Sequence, residues 1–212
     1  MASTDAVRVV ALADHPAALP VVAGWLHREW LQAWHLSRAQ ALAEIEVRLH
    51  RRTLPLALVA LAGRTPVGTA SLVDDAHPSD ATTICSLAGV YVTPRWRRRG
   101  IGRLLCTRAV ALAAELGRQP VGLYTLDAEA YYLRLGWTKV VEAPLRDPLR
   151  PTPGAYMEWR RPASAGGARE QHSLASRRPE STPITTEGAG AGSPTPVVRS
   201  VVRASVLASP HE

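Results

Sequence analysis

The chain has 212 residues, 46% of them hydrophobic, and a formal net charge of +7. That length allows one ordinary domain with a sizeable core, and that hydrophobic content excludes a wholly disordered chain. The excess positive charge predicts affinity for anions without saying which anion.

The first predicted elements are a strand and two helices. The stretch "AVRVVAL" alternates hydrophobic and other residues, as a strand does. A helix over residues 16–34 is predicted by four hydrophobic residues at helical spacing, Leu19, Val22, Leu26 and Trp30. Ser37 can cap a second helix, which we expect over residues 38–50.

Three strands are predicted next. Residues 54–63 and 66–75 form two of them, joined by a tight turn as a hairpin. Residues 83–93 form a longer strand with Gly89 inside it. A glycine within a strand often marks a bulge, so we expect one here.

The remaining elements alternate between helix and strand. A helix that ends at Gly117 is predicted by hydrophobic residues at helical spacing, Ile101, Leu104, Leu105, Leu112 and Leu116. The later elements are a strand at 120–126, a short helix at 128–135 and strands at 136–143 and 154–161. This order, β-α-α-β-β-β-α-β-α-β-β, predicts an α/β fold with a mixed sheet and helices on its faces.

The composition changes sharply after Pro162. Residues 163–212 are rich in Gly, Ser and Pro and contain no aromatic residue, so they cannot bury enough apolar surface to fold. We therefore predict a folded domain over residues 1–162 and a disordered tail over residues 163–212.

Three absences predict a cytoplasmic protein without a membrane partner. The N-terminus has no basic segment of a signal peptide, and no run of 18 apolar residues occurs. Cys85 and Cys106 are too few for a disulfide framework and favour a reducing compartment.

The segment "VYVTPRWRRRGIGRLL" carries the clearest chemistry. A strand ends and a helix begins here, and a helix N-terminus offers unpaired N–H groups and a positive dipole end. Gly100 and Gly102 allow a ligand to approach the backbone, and the surrounding arginines add charge. These features predict a cradle for a diphosphate. The segment lacks the Lys-Ser/Thr of a P-loop, and Leu105 stands where a dinucleotide fingerprint has its third glycine.

Arg97-x-x-Gly100-x-Gly102 resembles the Gln/Arg-x-x-Gly-x-Gly/Ala motif of the GCN5-related N-acetyltransferase (GNAT) superfamily. The Val-x-Pro step before it and "AEAYYLRLGW" after it resemble two further family signatures. The resemblance covers residues 6–161. It implies an α/β (α+β mixed) GNAT fold: a twisted, mostly antiparallel sheet of about seven strands, about four flanking helices and a V-shaped splay between strands 4 and 5.

The resemblance also implies acetyl-CoA as acetyl donor, bound by the splayed strands and the arginine turn. The residues that it places against the donor are Val90, Tyr91, Val92, Arg97, Arg98, Arg99, Gly100, Ile101, Gly102, Arg103 and Thr125. Thr125 departs from the asparagine often found at its position. No metal is expected, because no His, Cys or Asp cluster has metal-ligand spacing.

Acyl transfer requires a neutral amine, a group that stabilises the oxyanion and a proton for the leaving thiolate. The resemblance implies Tyr132 as general acid, and a backbone N–H near Tyr91 or Val92 to polarise the thioester carbonyl. No general base is evident. We expect Glu29, Trp30 and Asp127 near the acceptor, with His77 as a further candidate base.

Three functions remain open at this point. The first is an N-acetyltransferase, a monomer or homodimer, acting on a small-molecule or peptide amine. The second is a nucleic-acid-binding module that uses Arg95 to Arg103, although only Trp96 there can stack on a base. The third is a CoA-binding protein without catalysis. The loop over residues 74–82 has three aspartates that can attract a cationic acceptor such as a polyamine or an aminoglycoside.

Overall fold

The structure of the protein is a computed structural model that describes residues 7–33, 35–142 and 154–161. Within those ranges seven strands form one sheet, in the order β1-β2-β3-β4-β5-β7-β6. Every neighbouring pair is antiparallel except β4 and β5, which are parallel. The expected mixed, mostly antiparallel sheet is confirmed.

The elements follow the predicted order. The strands are β1 (Arg8–Ala11), β2 (Leu56–Ala62), β3 (Thr65–Ala76), β4 (Thr83–Val92), β5 (Val121–Thr125), β6 (Thr138–Glu142) and β7 (Ala155–Trp159). The helices are α1 (Leu19–Leu26), α2 (Arg38–Glu46), α3 (Ile101–Glu115) and α4 (Glu129–Arg134).

The first predicted helix differs from the single helix expected over residues 16–34. A 3-10 turn at Pro16–Ala18 precedes α1, and a π-helical turn at His27–Leu31 follows it. The π turn buries Trp30 and Leu31, and its wider hydrogen bonding is not anticipated by a regular helical spacing. The predicted cap of α2 is confirmed, since the Ser37 hydroxyl accepts a hydrogen bond from the backbone N–H of Gln40.

Two hydrophobic clusters cover the two faces of the sheet. The helix α3 packs on β2, β3 and β4 in the larger cluster, which also contains Tyr132 of α4 and Trp137. The helices α1 and α2 form the second cluster with Ala57, Val59 and Leu61 of β2. The two faces therefore differ, and the face under α1 and α2 is called the α1/α2 face below.

Some predictions fall outside the described residues. These are the tail over residues 163–212 and the part of the first predicted helix at Trp34. Among the described residues, no helix is both long enough and apolar enough to cross a membrane.

Candidate active site

The turn between β4 and α3 has the backbone of an open helix N-terminus. Gly100 is the N-cap of α3 and has a φ of +75°, and Arg98 also has a positive φ, of +58°. The N–H of Leu104 donates to the carbonyl of Gly100 at 3.0 Å, which starts the helix. No side chain caps this end within the described part of the chain. The first N–H groups of a 15-residue helix therefore stay available to an anion.

The arginines of this turn have different environments. The Arg97 Nε donates to the Val92 carbonyl at 3.1 Å, and its guanidinium carbon lies 5.9 Å from the centre of the Tyr91 ring. The guanidinium carbon of Arg99 lies 4.8 Å from the centre of the Trp96 ring. Arg98, Arg99 and Arg103 are exposed. Arg97 therefore fastens the turn to β4, and the exposed arginines surround the helix N-terminus.

Beside this turn, β4 and β5 diverge. They pair only at Cys85–Val121 and Ser86–Gly122, although β4 continues to Val92. The other edge of β5 pairs with β7 along its whole length. Over the described residues, the end of β4 therefore has no strand partner on its β5 side. Its backbone groups, including those of Val90 and Val92, line the gap between the strands.

The expected bulge at Gly89 is confirmed. Ser71 of β3 lies opposite Ala88 of β4, and Thr69 lies opposite Tyr91. Between these two pairs β3 advances by two residues and β4 by three. The extra residue of β4 falls at this point, and Gly89 has a φ of +60°. The bulge bends β4 where it leaves β5, which opens the predicted V between strands 4 and 5.

Tyr132 lies in the middle of α4, the helix that follows β5. Its side chain is fully buried, with ring centres 5.2 Å from Tyr131 and 5.8 Å from Trp137. Burial raises the pKa of Tyr132 well above its ordinary value, and the nearby Cys106, Tyr131 and Asp127 act in the same direction. The phenol therefore stays protonated, as a proton donor must.

The other residues predicted at the site divide between the two sides of the sheet. Thr125 is buried at the end of β5, where its hydroxyl accepts the N–H of Ala128 at 3.0 Å and so supports the turn that leads to Tyr132. Asp127, in the same turn, is exposed. On the α1/α2 face Glu29 is half-buried, and the buried Trp30 ring meets the Tyr91 ring edge-on at 6.3 Å. Trp30 thus packs on β4 next to the bulge.

His77, the further candidate base, is held by both ring nitrogens. Its Nε2 lies 3.1 Å from Oε1 of Glu158, and its Nδ1 accepts the N–H of Ser79 at 3.2 Å. Since a carboxylate only accepts, Nε2 carries the proton in this arrangement. The ring joins the loop after β3 to β7 and has no free lone pair to act as a base.

Sequence reasoning missed two buried polar residues of the α1/α2 face, Arg48 and Ser86. The pattern of β4 places Ser86 on the same face as Ile84 and Ala88, but nothing local says which face receives a substrate. Arg48 follows α2 in the stretch "VRLHRR", where nothing in the sequence separates it from the arginines that follow. It differs from them only because the fold buries it.

The comparisons with known proteins agree with this geometry. The family model for the acetyltransferase (GNAT) family matches residues 19–137, which is more than half of the chain. The chain therefore belongs to the GNAT family of acetyltransferases. Comparison with curated protein sequences finds no match.

Solved structures share the fold at low sequence identity. A GCN5-related N-acetyltransferase from Kribbella flavida is 19% identical with a TM-score of 0.57, over 74% of this chain and 99% of that chain. An aminoglycoside 6'-N-acetyltransferase complexed with coenzyme A is 16% identical with a TM-score of 0.56, over 72% of this chain and 96% of that chain. The structure of yncA from Salmonella typhimurium with its cofactor acetyl-CoA is 19% identical with a TM-score of 0.55. The match covers 77% of this chain and 97% of that chain.

Proposed function

We propose that this protein is an acetyl-CoA-dependent N-acetyltransferase that transfers the acetyl group to a primary amine of a small molecule or peptide. The observation that carries the proposal is the divergence of β4 and β5 directly beside the uncapped N-terminus of α3. A donor with a diphosphate at one end and a chain of amides at the other needs both features. The helix end suits the diphosphate, and an unpaired strand edge suits the amides.

The donor contacts follow from this arrangement. The N–H groups of Ile101 and Gly102 bind the pyrophosphate, with charge from Arg98, Arg99 and Arg103. The amides of the pantetheine arm pair with the free edge of β4, as an added strand does. Arg97 keeps the turn in place through its hydrogen bond to Val92.

In the reaction, the amine nitrogen attacks the thioester carbonyl carbon and forms the C–N bond. A backbone N–H near Tyr91 or Val92 stabilises the oxyanion of the tetrahedral intermediate. The intermediate collapses as the C–S bond breaks, and the sulfur receives the phenolic proton of Tyr132. The nitrogen loses its extra proton to water, and water returns a proton to the phenol as the phenolic proton leaves for the sulfur.

The proton transfer has an energetic cost that burial increases. Donation from an ordinary phenol, with a pKa of about 10, to a thiolate of about 8.5 is uphill by roughly 2 kcal/mol. Since burial raises the pKa of Tyr132 further, a free tyrosinate is unfavourable. The proton therefore moves to the sulfur as the C–S bond breaks, while negative charge develops beside the phenol.

We also propose a compartment, an oligomeric state and a range of partners for the protein. It acts in the cytoplasm as a monomer or homodimer, without a metal, a nucleic acid or a membrane as partner. Its two cysteines are free and buried, which suits a reducing compartment. Arg97 of the basic run already donates to the Val92 carbonyl of β4, which weakens any role of the whole run in following a nucleic-acid strand.

The test is a thermal-stability titration with acetyl-CoA, beside an equal titration with a DNA oligomer. Acetyl-CoA alone should raise Tm, because a ligand that binds only the folded state stabilises it. A panel of amines should then reveal turnover as release of free CoA thiol. Stabilisation by DNA and not by acetyl-CoA would overturn the proposal in favour of nucleic-acid binding. Stabilisation by acetyl-CoA without thiol release from any amine would favour CoA binding without catalysis.

A further inference from the structure

Arg48 is a buried cation that the donor site does not use. It follows α2, its backbone carbonyl accepts the N–H of Ala57 at 3.0 Å, and its side chain reaches the sheet. Only 5% of the residue is exposed. Its Nη1 donates to the Ser71 hydroxyl at 3.1 Å, the single hydrogen bond of this guanidinium among the described residues.

The charge of Arg48 is not neutralised by an ion pair within the described residues. The negative charge of Glu44 raises the pKa of Arg48, but by less than burial lowers it. Burying a guanidinium beside one neutral hydroxyl is unfavourable, because its other N–H donors keep only slight contact with solvent and have no protein acceptor among the described residues. An anion that binds there would supply the missing acceptors.

Ser86 is a second, independent sign of a missing ligand on the same face. Its hydroxyl is buried, and within the described part of the chain it is the single buried side-chain oxygen or nitrogen without a hydrogen-bond partner. Ser71 lies opposite Ala88 of β4, and side chains two residues apart share a face. Ser86 and Ser71 are therefore diagonal neighbours on adjacent strands, a position at which Cα atoms are about 7 Å apart.

This pair lies where an acceptor must approach. Ser71 also lies opposite Ala57, which packs under α1 and α2, so both serines belong to the α1/α2 face. Ser86 is the last residue of β4 that pairs with β5 before the strands diverge. A group bound between Arg48 and Ser86 is therefore beside the point of the V, on the face opposite α3.

A carboxylate fits this arrangement best. A guanidinium donates two parallel N–H bonds to a carboxylate, and charge-assisted bonds of this kind are strong. A carboxylate oxygen can also accept the unpartnered hydroxyl hydrogen of Ser86. A cationic group would instead be repelled by Arg48.

The acidic loop does not offer an equally good site for a cation. Asp74 forms an ion pair with Arg118 of the chain itself. Asp80 accepts both the N–H and the hydroxyl of Thr82, at 3.0 and 2.7 Å. Asp75, the third, is buried, and its Oδ1 accepts the N–H of Ala76 at 2.8 Å, so each of the three aspartates expected to attract a cationic acceptor is engaged within the protein.

We propose that Arg48, with Ser71 and Ser86, binds a carboxylate of the acceptor, which makes the acceptor an amino acid or another amine with a carboxylate a few bonds from its nitrogen. This inference rests on the proposed function, since it names the substrate class of that site. Arg48 is a specificity-determining residue and leaves the binding of acetyl-CoA unaffected.

The experiment compares each of a set of amino acids with its own carboxamide, so that only the carboxylate differs within a pair. We expect kcat/KM to favour the acid about 10- to 100-fold in the best pair, the usual loss for a buried charge-assisted bond. Arg48→Gln should abolish that preference, Arg48→Lys should keep part of it, and Ser86→Ala should reduce it several-fold. Acetyl-CoA should raise Tm equally in all variants.

A readout without turnover uses the products. N-acetyl amino acids should raise Tm of the wild type and not of Arg48→Gln, whereas their amides should raise neither. Arg48→Gln should unfold at the wild-type Tm or above it, because a buried unpaired charge is removed. A large fall in Tm, matched by Ser71→Ala, would show that Arg48 only holds α2 to the sheet and would overturn the inference.

Failure of this inference is distinct from failure of the proposed function. Acids and carboxamides acetylated equally by the wild type would overturn the carboxylate site and leave the enzyme intact. A preference for diamines over amino acids would do the same in favour of a cationic acceptor. Absence of acetyl-CoA binding would instead contradict the proposed function itself.

Discussion

At the residue scale, the run of arginines divides into residues with different tasks. Arg97 is half-buried, bonded to the Val92 carbonyl and placed against Tyr91, so it stabilises the turn. Arg98 and Arg103 are exposed next to the N-terminus of α3. Charge alone does not separate these tasks, since every arginine in the run has the same side chain. The separation comes from the path of β4, which brings one arginine of the run over its own strand.

Tyr132→Phe should lower kcat about 100-fold and leave the KM for acetyl-CoA unchanged. The phenyl ring preserves the packing against Trp137, and only the acidic hydrogen is lost. Steady-state kinetics and the Tm titration with acetyl-CoA check the two halves of this prediction. Tyr131→Phe, on the adjacent half-buried tyrosine, is the matched control and should remain near wild type. Equal loss of turnover and of acetyl-CoA binding in Tyr132→Phe would count against the general-acid role.

The two cysteines should be unreactive in the folded protein. Burial raises the pKa of both Cys85 and Cys106 from 9.0 to about 12. Because the folded pKa is above the unfolded one, the resulting stability is complete below about pH 9 and is lost as the pH rises towards 12. We expect no reaction with a thiol reagent at pH 8 and two thiols per chain after denaturation. Rapid labelling of the native protein at pH 8 would show that this part of the core opens.

At the element scale, local pattern and tertiary packing agree for most strands and differ for the first helix. Leu19, Val22 and Leu26 do belong to α1, as their spacing predicts. The continuation is a π-helical turn that buries Trp30 and Leu31, with Trp30 against Tyr91 of β4. The contact of Trp30 with Tyr91 depends on the position of β4, which the helix sequence does not encode.

Gly68→Ala should lower the free energy of unfolding by about 1–3 kcal/mol. A Cβ at Gly68 would lie 2.7 Å from the Tyr91 carbonyl oxygen and 3.2 Å from Cδ1 of Leu105, so β3 could no longer pack as closely. Urea denaturation measures the change.

Gly24→Ala in α1 is the matched control for Gly68→Ala. A Cβ at Gly24 would make only an ordinary contact, 3.5 Å from Nη1 of Arg28. This change should raise the free energy of unfolding by about 0.5–1 kcal/mol, since alanine loses less conformational freedom than glycine in a helix. Equal stability of the two variants would contradict the close approach of β3 to β4.

At the scale of the whole molecule, the described sheet contains each element that the donor site requires. Its seven strands end with β7, at Trp159, which lies between β5 and β6. The predicted tail over residues 163–212 is outside the described residues and stays a prediction. Its composition gives no reason for a contribution to the core.

A chain ending at Pro162 should therefore fold and remain active. We expect the Tm, the stabilisation by acetyl-CoA and the thiol-release activity of this shortened chain to equal those of the full chain. Thermal denaturation and the amine assay measure the comparison. A lower Tm or weaker acetyl-CoA binding after truncation would mean that the tail packs on the domain, contrary to the predicted boundary.

The sequence by itself determined the order of elements, the bulge at Gly89, the cap at Ser37 and the turn at Gly100. Each depends on residues close together in the chain, through helical or strand periodicity, backbone freedom at glycine, or a hydroxyl near a helix end. The family motif around the turn is equally local, which explains why the sequence could predict residues for a donor site but no comparable set for an acceptor site.

Only the tertiary structure decided which polar residues are buried together. Arg48 meets Ser71 because β3 passes under the end of α2, and Ser86 is beside them because β3 pairs with β4. His77 is bonded to Glu158, which is 81 positions away in the chain. These contacts depend on strand pairing between distant segments, and burial changes the energy of a charge or hydroxyl in a way that local sequence does not express.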